Sequence, residues 1–140
     1  MLPEFSNIEA IKKLIPAFGH AQNPIDVTAE IIAKPEMFKK VLETIIEEQG
    51  IDGVIVQLTT NADPGASVIA KAILDVFQHH NKPIVVGRIG ANNIAAKAMS
   101  IYQEASMPVY STPERVVAVM KSLVEYSRFL RRQNSGGLSL

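Results

Sequence analysis

Residues 52–77 read DGVIVQLTTNADPGASVIAKAILDVF, and this stretch decides the fold. Positions 53–58 form a short apolar run rich in β-branched side chains, which predicts a buried strand. Val68, Ile69, Ala72, Ile73, Val76 and Phe77 then recur at helical spacing, which predicts an amphipathic helix. Between them Asp63 and Pro64 make a helix start: an Asp at the N-cap accepts backbone N–H groups, and a Pro at the first helical position lacks a donor that would be orphaned anyway. Thr59, Thr60 and Asn61 therefore fall at the carboxyl end of a strand and beside a helix N-terminus. Open α/β sheets bind their ligands there.

Outward from this unit the same alternation repeats. On the C-terminal side, PIVVG at 83–87 is a second apolar strand, followed by a glycine-bearing turn at 88–93 and a helix at 94–102 with Asn92 or Asn93 as its cap. PVY at 108–110 is a brief third strand. Ser111, Thr112, Pro113 and Glu114 announce a last helix, which carries Val116, Val117, Met120, Leu123 and Val124, and NSGGLSL after it reads as a frayed tail.

On the N-terminal side, Ile8, Ile11, Leu14 and Ile15 predict a first helix capped by Ser6 or Asn7. Ile25 and Val27 predict a short strand at an edge or end of the sheet, while 29–34 is ambiguous. From Pro35 the series Met37, Phe38, Val41, Leu42, Ile45, Ile46 predicts a helix closed by Gly50 at C′.

Apolar strands alternating with amphipathic helices imply an α/β protein, a three-layer αβα sandwich with a mostly parallel sheet of about four strands and five helices. Residues 1–133 are expected to form one domain and 134–140 a flexible tail. The turns at the carboxyl ends of the strands share one edge of the sheet, so the expected crevice gathers Thr59, Thr60, Asn61, Arg88, Gly90, Asn92, Asn93, Ser111 and Thr112.

Composition removes whole classes of function. The 140 residues contain no cysteine, which excludes disulfides, thiolate metal sites and cysteine nucleophiles. Fourteen basic and fourteen acidic residues cancel, so no general attraction to nucleic acid or lipid is expected. The start MLPE lacks the basic and apolar regions of a signal peptide, and no apolar span is long enough for a membrane, so a cytoplasmic location is expected. The spacing of Gly87 and Gly90 is not a dinucleotide fingerprint, and no Walker lysine motif is present.

Individual candidates carry a bland reading beside the functional one. Asp26, after Asn23 and Pro24, is either a functional carboxylate or a side chain that fixes its own turn. Arg88 with Gly90, Asn92 and Asn93 is either an anion pocket or an ordinary β-to-α turn. His79 and His80 end a helix, where they suit its last carbonyls. His20 lies in a loop, and no His, Asp and Glu set has metal-ligand spacing.

NPIDV at 23–27, GIDGVIVQL at 50–58, KPIVV at 82–86 and MPVYSTPERVV at 107–117, in this order and spacing, resemble a domain of the NDP-forming acyl-CoA synthetases. The family includes the ADP-forming acetate–CoA ligases, and its domain is similar to the flavodoxin-like carboxy-terminal part of the succinyl-CoA synthetase β subunit. The resemblance covers residues 8–126.

It implies an enzyme that interconverts acyl-CoA, NDP and phosphate with the free acid, CoA and NTP through a swinging phosphohistidine. It also implies CoA and ATP/ADP with Mg as cofactors of the full enzyme, none of them bound by this chain alone. By position, the phosphate-facing group would be Thr59, Thr60, Asn61, Gly65 and Ala66, at the start of a helix whose dipole suits a dianion. Where the succinyl-CoA synthetase relative has paired glycines, this chain has TTNADPG, and Pro64 removes one amide.

The resemblance also implies a further strand and glycine-rich turn ahead of residue 8. Without that strand, the 23–27 strand either pairs directly with the 53–58 strand or leaves a gap for another chain. The catalytic-histidine loop and the CoA-binding and ATP-grasp domains have no counterpart in these residues. The expected partners are therefore ATP-grasp and CoA-binding domains or subunits, with a homodimer covering the gap. The alternative is a stand-alone flavodoxin-like binding module that takes a small anion or a partner protein.

Overall fold

The structure, a computed structural model, describes residues 5–135. Three strands, β1 (Val54–Leu58), β2 (Ile84–Arg88) and β3 (Val109–Tyr110), form one sheet in the order β1-β2-β3. Both pairings are parallel, with Val56 opposite Val86 and Val86 opposite Val109. The helices are α1 (Ile8–Leu14), α2 (Pro35–Glu47), α3 (Gly65–His79), α4 (Ala96–Glu104) and α5 (Pro113–Ser135), with short 3₁₀ turns at Ala29–Ile32 and Asn92–Ala95.

Side-chain alternation sorts these elements into three layers. Val54, Val56, Leu58, Ile84 and Val86 turn one face of the sheet into the main core, where they meet Phe38 and Val41 of α2, Ile69 and Ile73 of α3, and Tyr102 of α4. The other face is covered by α5. A Cβ built on Gly87 would lie 2.6 Å from Val116 Cγ2, and one on Gly53 would lie 3.2 Å from Met120. Glycine at these two positions, one in β2 and one just before β1, is what lets α5 approach so closely. The expected α/β sandwich with a parallel sheet is therefore present.

Its sheet has three strands, not about four. The strand expected around Ile25 and Val27 does not form. Asp26 makes an isolated antiparallel bridge with His20, exchanging N–H···O bonds of 2.8 and 3.1 Å, and its carboxylate accepts from Thr28 N–H at 2.8 Å. Local turn chemistry has taken the donors and acceptors a ladder would need. The segment does not pair with β1, whose one strand neighbour among the described residues is β2.

Helix starts differ from expectation in an informative way. Asn7 stands at the N-cap of α1 without a side-chain cap bond; instead the Glu48 carboxylate, just past α2, accepts from Ser6 N–H, Ser6 Oγ–H and Asn7 N–H. Asp63 does not cap α3, where Pro64 occupies the cap position. Its Oδ2 accepts from Lys97 N–H at 2.8 Å in the first turn of α4, a role assigned from sequence to Asn92 or Asn93.

The ambiguous 29–34 segment is a 3₁₀ turn capped by Thr28 Oγ1, which accepts from Glu30 N–H. The helix-end cap expected at Gly50 also fails, because α2 stops at Glu47 and the glycine with positive φ is Gly90. At α5 the expected cap is present: Arg115 N–H points to Thr112 Oγ1 at 3.4 Å. α5 includes Asn134 and Ser135, placed in the tail by the sequence, and residues 136–140 lie outside the described part.

Candidate functional site

The carboxyl edge of the sheet brings two of the three expected turns into direct contact. Arg88 ends β2 with 3% of its surface exposed, and its guanidinium is the junction. Nη2 donates to Asn61 O at 2.8 Å, while Nη1 donates to Gly90 O and Ala91 O, both at 3.3 Å. Thr60 Oγ1 donates to Ile89 O at 3.2 Å, Ile89 N–H to Leu58 O at 3.0 Å, and Asp63 N–H to Ile94 O at 2.9 Å. The turn after β1 and the turn after β2 are thus one hydrogen-bonded unit. A buried arginine is tolerated because carbonyl dipoles replace its water.

Gly90 supports this arrangement with a φ of 124°, and a Cβ there would lie 2.8 Å from Thr60 Oγ1. Both the backbone conformation and the close approach require glycine.

Among the described residues, four buried side-chain polar atoms have no hydrogen-bond partner: Asn61 Oδ1, Asp63 Oδ1, Arg88 Nε and Tyr102 Oη. All four belong to side chains of this junction or of the core beneath it. Burial holds the Tyr102 phenol well above its ordinary pKa, and the Arg88 charge works in the opposite direction. Tyr102 was not singled out from the sequence. An aromatic residue on the apolar stripe of α4 looks the same whether or not its hydroxyl meets an arginine.

The phosphate-facing group fares differently residue by residue. Thr59 and Thr60 are exposed at the edge. Ala66 N–H is already bonded to Ala62 O at 2.9 Å, and Pro64 has no N–H. A Cβ on Gly65 would lie 2.8 Å from Ile32 Cγ2, so this glycine serves packing against the 3₁₀ turn. The Nη1 and Nη2 groups of Arg88 are committed to three carbonyls, while its Nε is buried without a partner. A phosphoryl dianion at this edge would have to be met by donors other than these.

The remaining candidates are scattered. Ser111 follows β3 on the same edge, and Thr112 caps α5. Asn92 and Asn93 lie in the exposed 3₁₀ turn. Asn23 is on the wall of a cavity beside β1, and Asp26 fixes its own turn. Among the described residues no group of three His, Cys, Asp or Glu is placed to hold a metal ion, and no helix is long and apolar enough to cross a membrane.

Three comparisons bear on this geometry. No protein-family model matches the chain. An ADP-forming acetate–CoA ligase of Methanocaldococcus jannaschii is 32% identical over 128 residues, which is 89% of this chain and 18% of the relative. The α subunit of ADP-forming acetate–CoA ligase I from Pyrococcus furiosus is 22% identical over 130 residues, covering 89% of this chain and 28% of that subunit. Among solved structures, the apo form of the dinucleotide-forming acetyl-coenzyme A synthetase 1 of Ca. Korarchaeum cryptofilum superposes with a TM-score of 0.74 at 28% identity, over 95% of this chain and 29% of that one.

This chain resembles a domain of the ADP-forming acyl-CoA synthetases. The likeness extends over nearly the whole of it, and the aligned part of these synthetases has the same α/β architecture. The chain spans between 17% and 28% of the length of the curated relatives it matches.

Proposed function

We propose that this chain is a domain of an NDP-forming acyl-CoA synthetase, an acid–thiol ligase, that supplies an inter-domain surface and is inactive alone. The observation that carries the reading is a structural match that takes in 95% of this chain and only 29% of its counterpart. A domain-sized part of a larger enzyme looks like that. The surface is the carboxyl edge, where Thr59, Thr60, Asn61 and Gly65 stand exposed or half-buried beside the junction that Arg88 ties together. CoA and ATP or ADP with Mg are bound by the partner domains, and the phosphorylated loop of a partner meets this edge in passing.

The test mixes the protein with separately produced CoA-binding and ATP-grasp domains of a related ligase. Acid-dependent formation of a CoA thioester and of ADP is measured. The expected result is no turnover by the chain alone and turnover with a stable complex when all parts are present. A failure to form any complex, with no thioester, removes the ligase reading.

A second reading is favoured by one feature, the unpaired edge of β1. In it the chain is a stand-alone binding module that covers this edge by forming a homodimer, working in the cytoplasm. Sedimentation across a hundredfold concentration range separates the two: a strictly monomeric and stable protein removes the dimer.

A further inference from the structure

Three isoleucines stand exposed around the turn after β1: Ile32 by 48%, Ile89 by 44% and Ile94 by 39%. Each is tied to a different point of that turn. A Cβ built on Gly65 would lie 2.8 Å from Ile32 Cγ2. Ile89 N–H donates to Leu58 O at 3.0 Å, and Ile89 O accepts from Thr60 Oγ1 at 3.2 Å. Ile94 O accepts from Asp63 N–H at 2.9 Å. Exposed apolar side chains scattered singly are ordinary, but three gathered on one hydrogen-bonded turn mark a contact surface.

The same turn turns its charges inward. The chain is 20% charged, yet across residues 59–68 and 89–96 Asp63 is the one charged residue. Its Oδ2 accepts from Lys97 N–H and its Oδ1 is buried, while Arg88, between the two stretches, is 3% exposed. Beside Ile32, Glu30 and Lys34 pair with each other at 2.8 Å. Lys97 is left as a charge at the rim. An uncharged centre with a polar rim is the composition of a protein contact.

Chemistry and shape narrow the occupant. A nucleotide or another phosphorylated ligand would find no cation within 59–68 and 89–96. Small apolar ligands bind in hollows, and neither the cavity beside β1 nor the smaller one at Pro16 and His20 includes any of the three isoleucines. An acidic or basic protein surface would give up water at this turn without gaining a charged partner. What fits is an apolar, uncharged protein surface, and the larger synthetases that this chain matches over 29% of their length or less carry further domains that can supply one.

We propose that Ile32, Ile89 and Ile94 are the anchors by which this domain docks an apolar, uncharged face of another domain of the synthetase, with Thr59 and Thr60 inside the contact. The proposal rests on the ligase reading and adds to it the chemistry of the partner's face. Burial of the isoleucines supplies the affinity, and charge attraction contributes little to it.

The probe is the pair of separately produced CoA-binding and ATP-grasp domains of a related ligase, titrated with the full chain. The native chain is expected to bind, and Ile89→Ser and Ile94→Ser are each expected to weaken the complex about five- to tenfold. Raising KCl from about 50 mM to about 500 mM should change the native affinity less than about threefold, because no ion pair across the centre is there to be screened. Circular dichroism checks that each variant is folded. Where one is not, the salt series on the native chain measures the same contact.

A native complex that ignores both substitutions, or that loosens more than about threefold over the salt series, overturns the proposal and leaves the ligase reading standing. No complex with the native chain removes that reading and this proposal together. A free native chain whose dimer mass is lost in both variants assigns the isoleucines to a second copy and overturns the proposal as well.

Discussion

Arg88 does its work by direction, not by charge alone. Three carbonyls from two separate turns converge on one guanidinium, an arrangement that a forked, planar cation satisfies and an ammonium does not. Arg88→Ala is expected to cost about 3 kcal/mol or more, since it leaves buried carbonyls without a donor, and Arg88→Lys should recover less than half of that. Urea unfolding monitored by circular dichroism gives both numbers.

Tyr102 makes the opposite case. Its hydroxyl is buried without a protein partner, so Tyr102→Phe is expected to leave stability unchanged within about 1 kcal/mol or to raise it. A larger loss would mean that the hydroxyl bonds to an ordered water shared with Arg88. The sequence placed Arg88 at the correct edge but left open whether it faces a ligand or its own loops. The deciding fact is that Asn61, 27 residues earlier, offers it a carbonyl, and no local pattern records such a pairing.

The helices and strands that were legible in the sequence are those whose own pattern is sufficient. β1, α2 and α3 combine strong periodicity with clear breaks, and the structure places them within a residue or two of expectation. The 23–27 segment failed because a strand is defined by its neighbour. Two alternating apolar residues satisfy the pattern, but Asp26 and His20 bond to each other and β1 lies across a cavity.

The caps expected at α1, α3 and α4 failed for a related reason: Asp63 and Glu48 are good acceptors that serve helices other than the ones they adjoin in sequence. The Glu48 carboxylate is held below its ordinary pKa of 4.5, first by the Ser6 hydroxyl and then by backbone N–H groups of Asn7 and Ser6. A depressed folded-state pKa contributes stability that is complete above the unfolded value and is lost as pH falls through the folded one. The anchoring of α1 should therefore weaken as the pH falls below the ordinary value of 4.5. The amides of Ser6 and Asn7 are expected to exchange faster across that window, beyond the intrinsic pH trend, and Glu48→Gln should show the loosened state already at pH 7. A flat pH response in the native protein would mean that Glu48 does not hold the helix.

For the whole molecule, what matters is where the layers stop. A 23-residue helix is about 35 Å long, whereas a five-residue strand is about 17 Å, so α5 runs well past the sheet it covers. Its first half carries the packing: Val116 is fully buried and Met120 is half-buried beside Gly53. Its second half exposes Leu123, Tyr126, Phe129 and Leu130. In proteins most helical stability comes from packing of an apolar face, so the two halves should contribute unequally.

Removing residues 127–140 is expected to cost less than about 1 kcal/mol, whereas Val116→Ala in the intact chain should cost about 2 kcal/mol through lost burial and a cavity at the sheet. Thermal unfolding of the two variants at one concentration measures the contrast. Repeating it at a hundredfold higher concentration shows whether the overhang serves another chain: a truncation that becomes costly only at high concentration would place Tyr126 and Phe129 in an interface between copies, while a cost that is small at both leaves the overhang without a part in the fold.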